Sequence, residues 1–296
     1  MTATTTTRPA ETRTIEAPGA TITYDVRRND TSTEPPLLLF GSPMDANGFS
    51  ALASHFPDRT VVTFDPRGAA RSKRNDDAAE SPPEEHADDI HRIIEALGGG
   101  PADLFASSGG AVNALAFVAR HPSEARTLVA HEPPAFSVLP DREAALAACR
   151  DMHETYLRRG HGPAMAKFIA LVMLQGPVPD DYLERPDPDP AMFGLSSEDD
   201  GTRDDPLVGL NMPSCPAYEP DIAALRRAPT RIVIGVGASS GESGAARAAR
   251  VIAERLGQVA EVFPGDHAGF LPVEHGQASD PEGFAAKLRE VLDARA

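Results

Sequence analysis

The sequence predicts an α/β fold: a mostly parallel central sheet with helices on both faces and a helical cap inserted into it. Nearly continuous apolar runs in PPLLLFG (35–41), RTVVTFD (59–65), TLVAHE (127–132) and TRIVIGVG (230–237) have the length and composition of strands covered on both faces. Between them lie longer stretches with apolar residues at helical spacing, and that alternation builds a parallel sheet flanked by helices. The pattern breaks between about residues 140 and 229 and then resumes, which marks an insertion.

In chain order, MTATTTTRPAETRTIEAPG lacks the apolar stretch of a secretory leader, so residues 1–15 are expected to form a flexible tail. ATITYDVRR (20–28) alternates like a half-buried strand. After the strand at 35–41 a short helix is expected around Phe49–His55, and then the strand at 59–65. The stretch 81–100 opens with Ser81 and two prolines, carries Ile90, Ile93, Ile94 and Leu97 on one face, and stops at three glycines. ADLFA is the next strand, followed by a helix from about Gly109 to Arg120 and the strand at 127–132. Two helices are expected within 141–175, whereas 176–206 is too rich in Pro, Asp and Gly for regular structure. The strand at 230–237, a helix at about 243–256, the strand AEVFPG (260–265) and a helix at 281–294 complete the chain. The expected organisation is a sheet domain made of 16–140 and 229–296, with a cap at 141–228.

With 296 residues, 41% of them hydrophobic, the chain can bury a sizeable core. A formal charge of −16 disfavours nucleic acid and anionic membrane as partners, because both would be repelled. Cys149 and Cys215 are the only cysteines; they make neither a disulfide framework nor a zinc motif. No apolar run is long enough to span a membrane, and a cytoplasmic location is expected.

The segment DLFASSGGAVNAL (103–115) carries the sharpest chemical signal. In an open parallel sheet, ligands bind beyond the carboxyl ends of the strands, next to helix N-termini. ASSGG (106–110) occupies such an end and approaches the G-x-S-x-G nucleophile elbow. Ser108 is central, Gly110 supplies the last glycine, Ala106 replaces the first, and Ser107 is the variable position. The structural alternative is a tight strand-to-helix corner with no chemistry. A serine hydroxyl becomes nucleophilic only when a base takes its proton, and histidine is the usual base.

Taken with its flanking motifs, the chain resembles the α/β-hydrolase-fold superfamily from about residue 20 to 294. LLLFGSPMD is similar to the family's H-G-x-P loop, with Phe40 in place of the histidine; FDPRGAARS (64–72) is similar to its D-x-R-G-x-x-x-S turn. PGDHAGF (264–270) is similar to the loop that carries the catalytic histidine, and a lid follows the family's sixth strand, here 127–132. The resemblance implies Ser108 as nucleophile and His267 as base, with His275 a weaker alternative base. The family's acid often follows the strand at 230–237, where the first carboxylate here is Glu242. In haloalkane dehalogenases the acid instead follows the sixth strand, and Glu132 stands there, 24 residues beyond Ser108, before two prolines. Glu132 is therefore favoured, with Glu242 as the alternative acid and His131 turned to the opposite face of the strand end. The oxyanion hole is expected from the N–H groups of Gly109, by elbow geometry, and Ser42, by resemblance. Asp65 and Arg67 are expected to form a structural knot.

Met44, Met152, Tyr156 and Phe168 are expected to line an apolar substrate pocket, although methionines at helical spacing also pack as core. The chemistry implied is hydrolysis of an ester, lactone or thioester without metal or organic cofactor. A small-molecule substrate is the expected partner, and a homodimer stays open. Two alternatives remain: a catalytically silent binding protein on the same fold, and a carbon–carbon bond hydrolase or cofactor-free oxygenase using the same Ser-His pair.

Overall fold

A computed structural model describes residues 10–272 and 278–294. Among them the strands are β1 (Glu11–Ala17), β2 (Ala20–Arg27), β3 (Leu37–Phe40), β4 (Val61–Phe64), β5 (Lys73–Arg74), β6 (Ala102–Ser107), β7 (Ala125–His131), β8 (Arg231–Gly237) and β9 (Glu261–Phe263). The helices are α1 (Ser50–Ser54), α2 (Pro83–Ala96), α3 (Gly109–Arg120), α4 (Arg142–Arg159), α5 (His161–Val172), α6 (Ile222–Arg227), α7 (Gly244–Leu256) and α8 (Pro281–Asp293). One sheet runs β1-β2-β4-β3-β6-β7-β8-β9, with β5 paired to β2. Neighbours from β4 to β9 are parallel; β2 is antiparallel to β1, β4 and β5.

The apolar runs behave as two-sided strands should. Leu38, Leu104 and Leu128 face a core shared with α2, α3 and α7. Leu37, Leu39, Phe105 and Val129 face the other side, against α1 and α8. Each fully buried Leu or Phe stabilises by roughly 1.5–3 kcal/mol, so the strand ends that carry the site are held by core on both faces. Among the described residues no helix is long and apolar enough to cross a membrane.

Two expectations about the N-terminal region are corrected. The chain forms β1 from Glu11, so that the last five residues of the span expected as tail are strand, because Pro18 and Gly19 (φ +69°) turn it back in register onto β2. β2 is buried almost throughout instead of on one face. Its inward polar groups are satisfied: Ser72 Oγ accepts from the Thr23 N–H at 2.8 Å, and Arg71 holds Asp25 at 2.8 and 3.1 Å.

The inserted segment begins with α4 and α5, which pack on one another across Gly160. The stretch 176–206 carries only short 3-10 turns, at Tyr182–Glu184 and Pro190–Phe193. A π-helix, Pro206–Asn211, then returns the chain towards the sheet. α6, within the span read as cap, packs against α3 and α7 of the sheet domain.

Candidate active site

The chain turns at Ser108, between β6 and α3. Its φ of +58° and ψ of −132° lie outside the regions that side-chain-bearing residues favour, a strain that surrounding structure must hold. The Ser108 N–H donates to the His131 carbonyl at 3.0 Å, tying the corner to the end of β7. The glycines after it are required by proximity. A Cβ on Gly109 would lie 2.6 Å from the Ser42 carbonyl oxygen, and one on Gly110 2.7 Å from Gly41 backbone. Corner and β3 loop are thus pressed together without room for side chains. The N–H groups of Ser42 and Gly109 form no hydrogen bond with another described residue.

The β3 loop is fixed from behind. Asp65, fully buried, accepts from the Ala46 N–H at 2.9 Å and from the Arg71 N–H and Nε at 3.0 and 2.7 Å. Arg67 grips Asp89 with two bonds of 2.9 and 2.8 Å and reaches Glu85 at 2.9 Å. None of these residues lines the cavity beside Ser108. Phe40 packs on Phe64, with ring centroids 4.9 Å apart.

At the end of β7, Glu132 adopts φ +47° and is fully buried. Its N–H donates to the Gly235 carbonyl at 3.0 Å, and its Oε1 accepts from the Gly237 N–H at 2.8 Å. Its Oε2 lies 2.6 Å from Nδ1 of His267. Burial by itself would raise the carboxyl pKa; the hydrogen bond with His267 and the adjoining imidazoles outweigh it and hold the group down to about 2. Gly237 has no room for a side chain, since a Cβ would stand 2.7 Å from the Asp266 backbone. Asp266 shapes the histidine loop by accepting from the Ala268 N–H at 2.9 Å.

His267 is 42% exposed, and its exposed part faces a cavity of about 360 Å³ that Ser108, Gly109 and Ser42 also line. Among the described residues the Ser108 hydroxyl forms no hydrogen bond. The cavity walls are mostly apolar: Phe136, Phe168, Leu171, Leu207 and Met212 are among them, with Asn211 the single amide. Cys149 and Cys215 line it as free thiols, and burial pushes both up to about 12, so they are neutral wall groups.

The other site residues are placed differently. Glu242, the alternative acid, is 65% exposed and pairs with Arg250 at 3.2 Å, while His267 is engaged by Glu132. Of the four expected pocket residues only Phe168 lines the cavity. Met44 packs beside Phe49 and Gly48, while Met152 and Tyr156 fill the core beneath the cap, where the Tyr156 hydroxyl accepts from the Asp205 N–H at 3.0 Å. His275 lies outside the described residues. His131 sits on the far side of the strand end, among Phe105, Phe263 and Phe284, with neither ring nitrogen hydrogen-bonded. Burial drives its pKa down to about 4 against the opposing pull of Glu132.

The sequence reading missed Asn211, Gly237 and the thiols. A lone amide within the apolar run LVGLNM was the available signal for Asn211.

Among the described residues one group could bring three metal-ligating atoms together: His91, His121 and Glu124. The two rings stack 4.4 Å apart at 5°, so their in-plane lone pairs run in parallel planes that no single ion can share. His91 Nδ1 lies 2.9 Å from Glu124 and His121 Nε2 3.3 Å from Asp88, which makes the group a hydrogen-bonded network.

The family model described as alpha/beta hydrolase fold matches residues 35–184. "Uncharacterized hydrolase YraK" of Bacillus subtilis (strain 168) is 29% identical over 285 residues, 95% of either chain. A thermophilic esterase from Thermogutta terrifontis superposes with a TM-score of 0.65 at 20% identity, covering 96% of this chain and 98% of that one. The enol-lactonase from Burkholderia xenovorans LB400 superposes with a TM-score of 0.63 at 14% identity, covering 95% and 100%. At these identities the two structures establish likeness of fold.

Proposed function

The chain belongs to the α/β-hydrolase fold family, and from that premise we propose a serine hydrolase that cleaves a carboxylic ester, lactone or thioester of a small to medium apolar substrate. The observation that carries this reading is the 2.6 Å contact between His267 Nδ1 and the buried, ionised Glu132, on the wall of a cavity that Ser108 shares. A buried carboxylate on Nδ1 fixes the tautomer that leaves Nε2 basic and stabilises the imidazolium that forms next.

In the proposed cycle, Ser108 Oγ attacks the carbonyl carbon while His267 Nε2 takes the hydroxyl proton. Charge develops on the carbonyl oxygen, for which the Ser42 and Gly109 N–H groups are the donors. The tetrahedral species collapses as His267 returns the proton to the leaving alcohol or thiol, and the acyl-enzyme remains. Water, deprotonated by the same imidazole, attacks that acyl group; carboxylic acid departs and Ser108 regains its proton.

The cavity size supports the substrate class: about 360 Å³ sits low in the ~300–1,000 Å³ range of ligand pockets. The two free thiols support a cytoplasmic, reducing setting. The test is hydrolysis of a p-nitrophenyl ester series from acetate to decanoate, together with a panel of lactones. Turnover that peaks at short to medium chains and vanishes in Ser108→Ala is the expected result; absence of turnover across the whole panel would remove the reading.

A further inference from the structure

Asn211 joins the cap to the β3 loop. It closes the π-helix Pro206–Asn211, is buried, lines the cavity, and donates from Nδ2 to Ser42 Oγ at 2.9 Å across 169 residues of chain. π-turns cost regular helix geometry and occur frequently at functional sites. The segment around it is stitched to the entry of α2. The Ser81 N–H donates to the carbonyl of Leu210 at 2.9 Å, and Ser214 Oγ donates to the Ser81 carbonyl at 3.2 Å. Ser81 Oγ lies 3.0 Å from Nε2 of buried His86. Burial, with the Arg67 charge beside it, pushes His86 down to about 3. His86 is therefore neutral and holds Ser81 through that bond.

None of these residues hydrogen-bonds with Ser108 or His267. It ends at Ser42, whose carbonyl is pressed against Gly109 and whose N–H is one of the two proposed oxyanion donors. We propose that Asn211 is a positioning residue: its carboxamide, on a segment that the Ser81–Leu210 and Ser214–Ser81 bonds tie to the entry of α2, fixes Ser42 through the Nδ2–Oγ bond and so aligns the oxyanion site only when the cap is seated. This inference rests on the serine-hydrolase reading above and adds to it a dependence of transition-state stabilisation on the cap. A buried amide left in an apolar wall without its partner would be costly, so the bond holds the cap segment and Ser42 together.

The test compares wild type, Asn211→Ala, Ser42→Ala and the double variant. It measures kcat and KM on a p-nitrophenyl ester, the second-order rate of Ser108 phosphonylation by a fluorophosphonate, and the thermal midpoint. Loss of alignment is expected to lower kcat and the phosphonylation rate by about 10- to 100-fold in each single variant, with KM little changed. The double variant should be no slower than the slower single one, because both substitutions delete the same bond. If Asn211→Ala does not fold, Ser42→Ala removes that bond from the other side with the loss of one oxygen. Wild-type rates in Asn211→Ala, or losses that multiply in the double variant, would overturn the positioning role while leaving the hydrolase reading intact. A wild-type protein that is not phosphonylated at all would overturn both.

Discussion

His267 Nδ1 and Glu132 Oε2 lie 2.6 Å apart although 135 residues separate them. The contact is made by the ends of two parallel strands. β7 delivers Glu132 in a left-handed conformation, and the loop after β9 delivers His267 over it. Gly237 at the end of β8 supplies the second bond to the carboxylate. The acid is thus fixed by backbone from the neighbouring strand before histidine engages it.

Glu132→Gln should keep the shape and lose the charge. The expected fall in kcat is on the order of 10³–10⁴-fold, in line with loss of the orienting acid in other Ser-His-acid sites. Glu242→Gln, which breaks only an exposed contact with Arg250, should stay within about twofold of wild type. Steady-state kinetics on one ester separates the two.

Gly237→Ala should damage stability and rate together. The added methyl would meet Asp266 backbone at 2.7 Å and displace the N–H that holds Glu132. A loss of about 1–3 kcal/mol by urea denaturation is expected, with a lower kcat in the fraction that folds.

The legibility of this site in the sequence followed how local each signal was. The corner at Ser108 announces itself because strand, small residues and helix are contiguous. Glu132 could be found from its place after an apolar run and before two prolines. Gly109 could be named as a donor because the elbow dictates it. β1 was invisible because its side chains stay exposed or half-exposed, so TRTIEA carries no apolar stripe and its order comes from pairing with β2. The pocket lining failed for a different reason. Met152, Tyr156 and Phe168 are equally apolar in sequence, and only the rotation of α4 and α5 against the sheet decides which faces the cavity. Asn211 could not be tied to Ser42 from spacing, since the bond depends on where the π-helix returns.

Acid stability should report His131 together with His86. The folded His131 pKa of about 4 lies below the ordinary value of 6.5, so the unfolded chain binds more protons between those values. Stability is therefore full above about pH 6.5 and declines as the pH falls towards 4. Glu132, depressed from 4.5 to about 2, adds a second loss below pH 4.5. His86, held down to about 3, contributes in the same direction over the same window, so His131→Phe, which extends the surrounding cluster of Phe105, Phe263 and Phe284, should lessen the slope between pH 6.5 and 4 without abolishing it. Denaturation midpoints at a series of pH values check this, and an unchanged slope in that window would contradict it.

Pocket substitutions should sort by location. Phe168→Ala opens the cavity wall and should shift chain-length preference towards longer acyl groups. Met152→Ala leaves a void in the core beneath the cap; it should cost about 2–5 kcal/mol with the preference unchanged.

The central claim is that Ser108 is an activated nucleophile, and intact-mass spectrometry after fluorophosphonate treatment tests it most directly, on wild type, Ser107→Ala and Ser108→Ala. One stoichiometric adduct on the wild type, retained in Ser107→Ala and lost in Ser108→Ala, is the expected result. No adduct on the wild type, or an adduct that survives Ser108→Ala, would contradict the claim and turn the cavity into a question of binding.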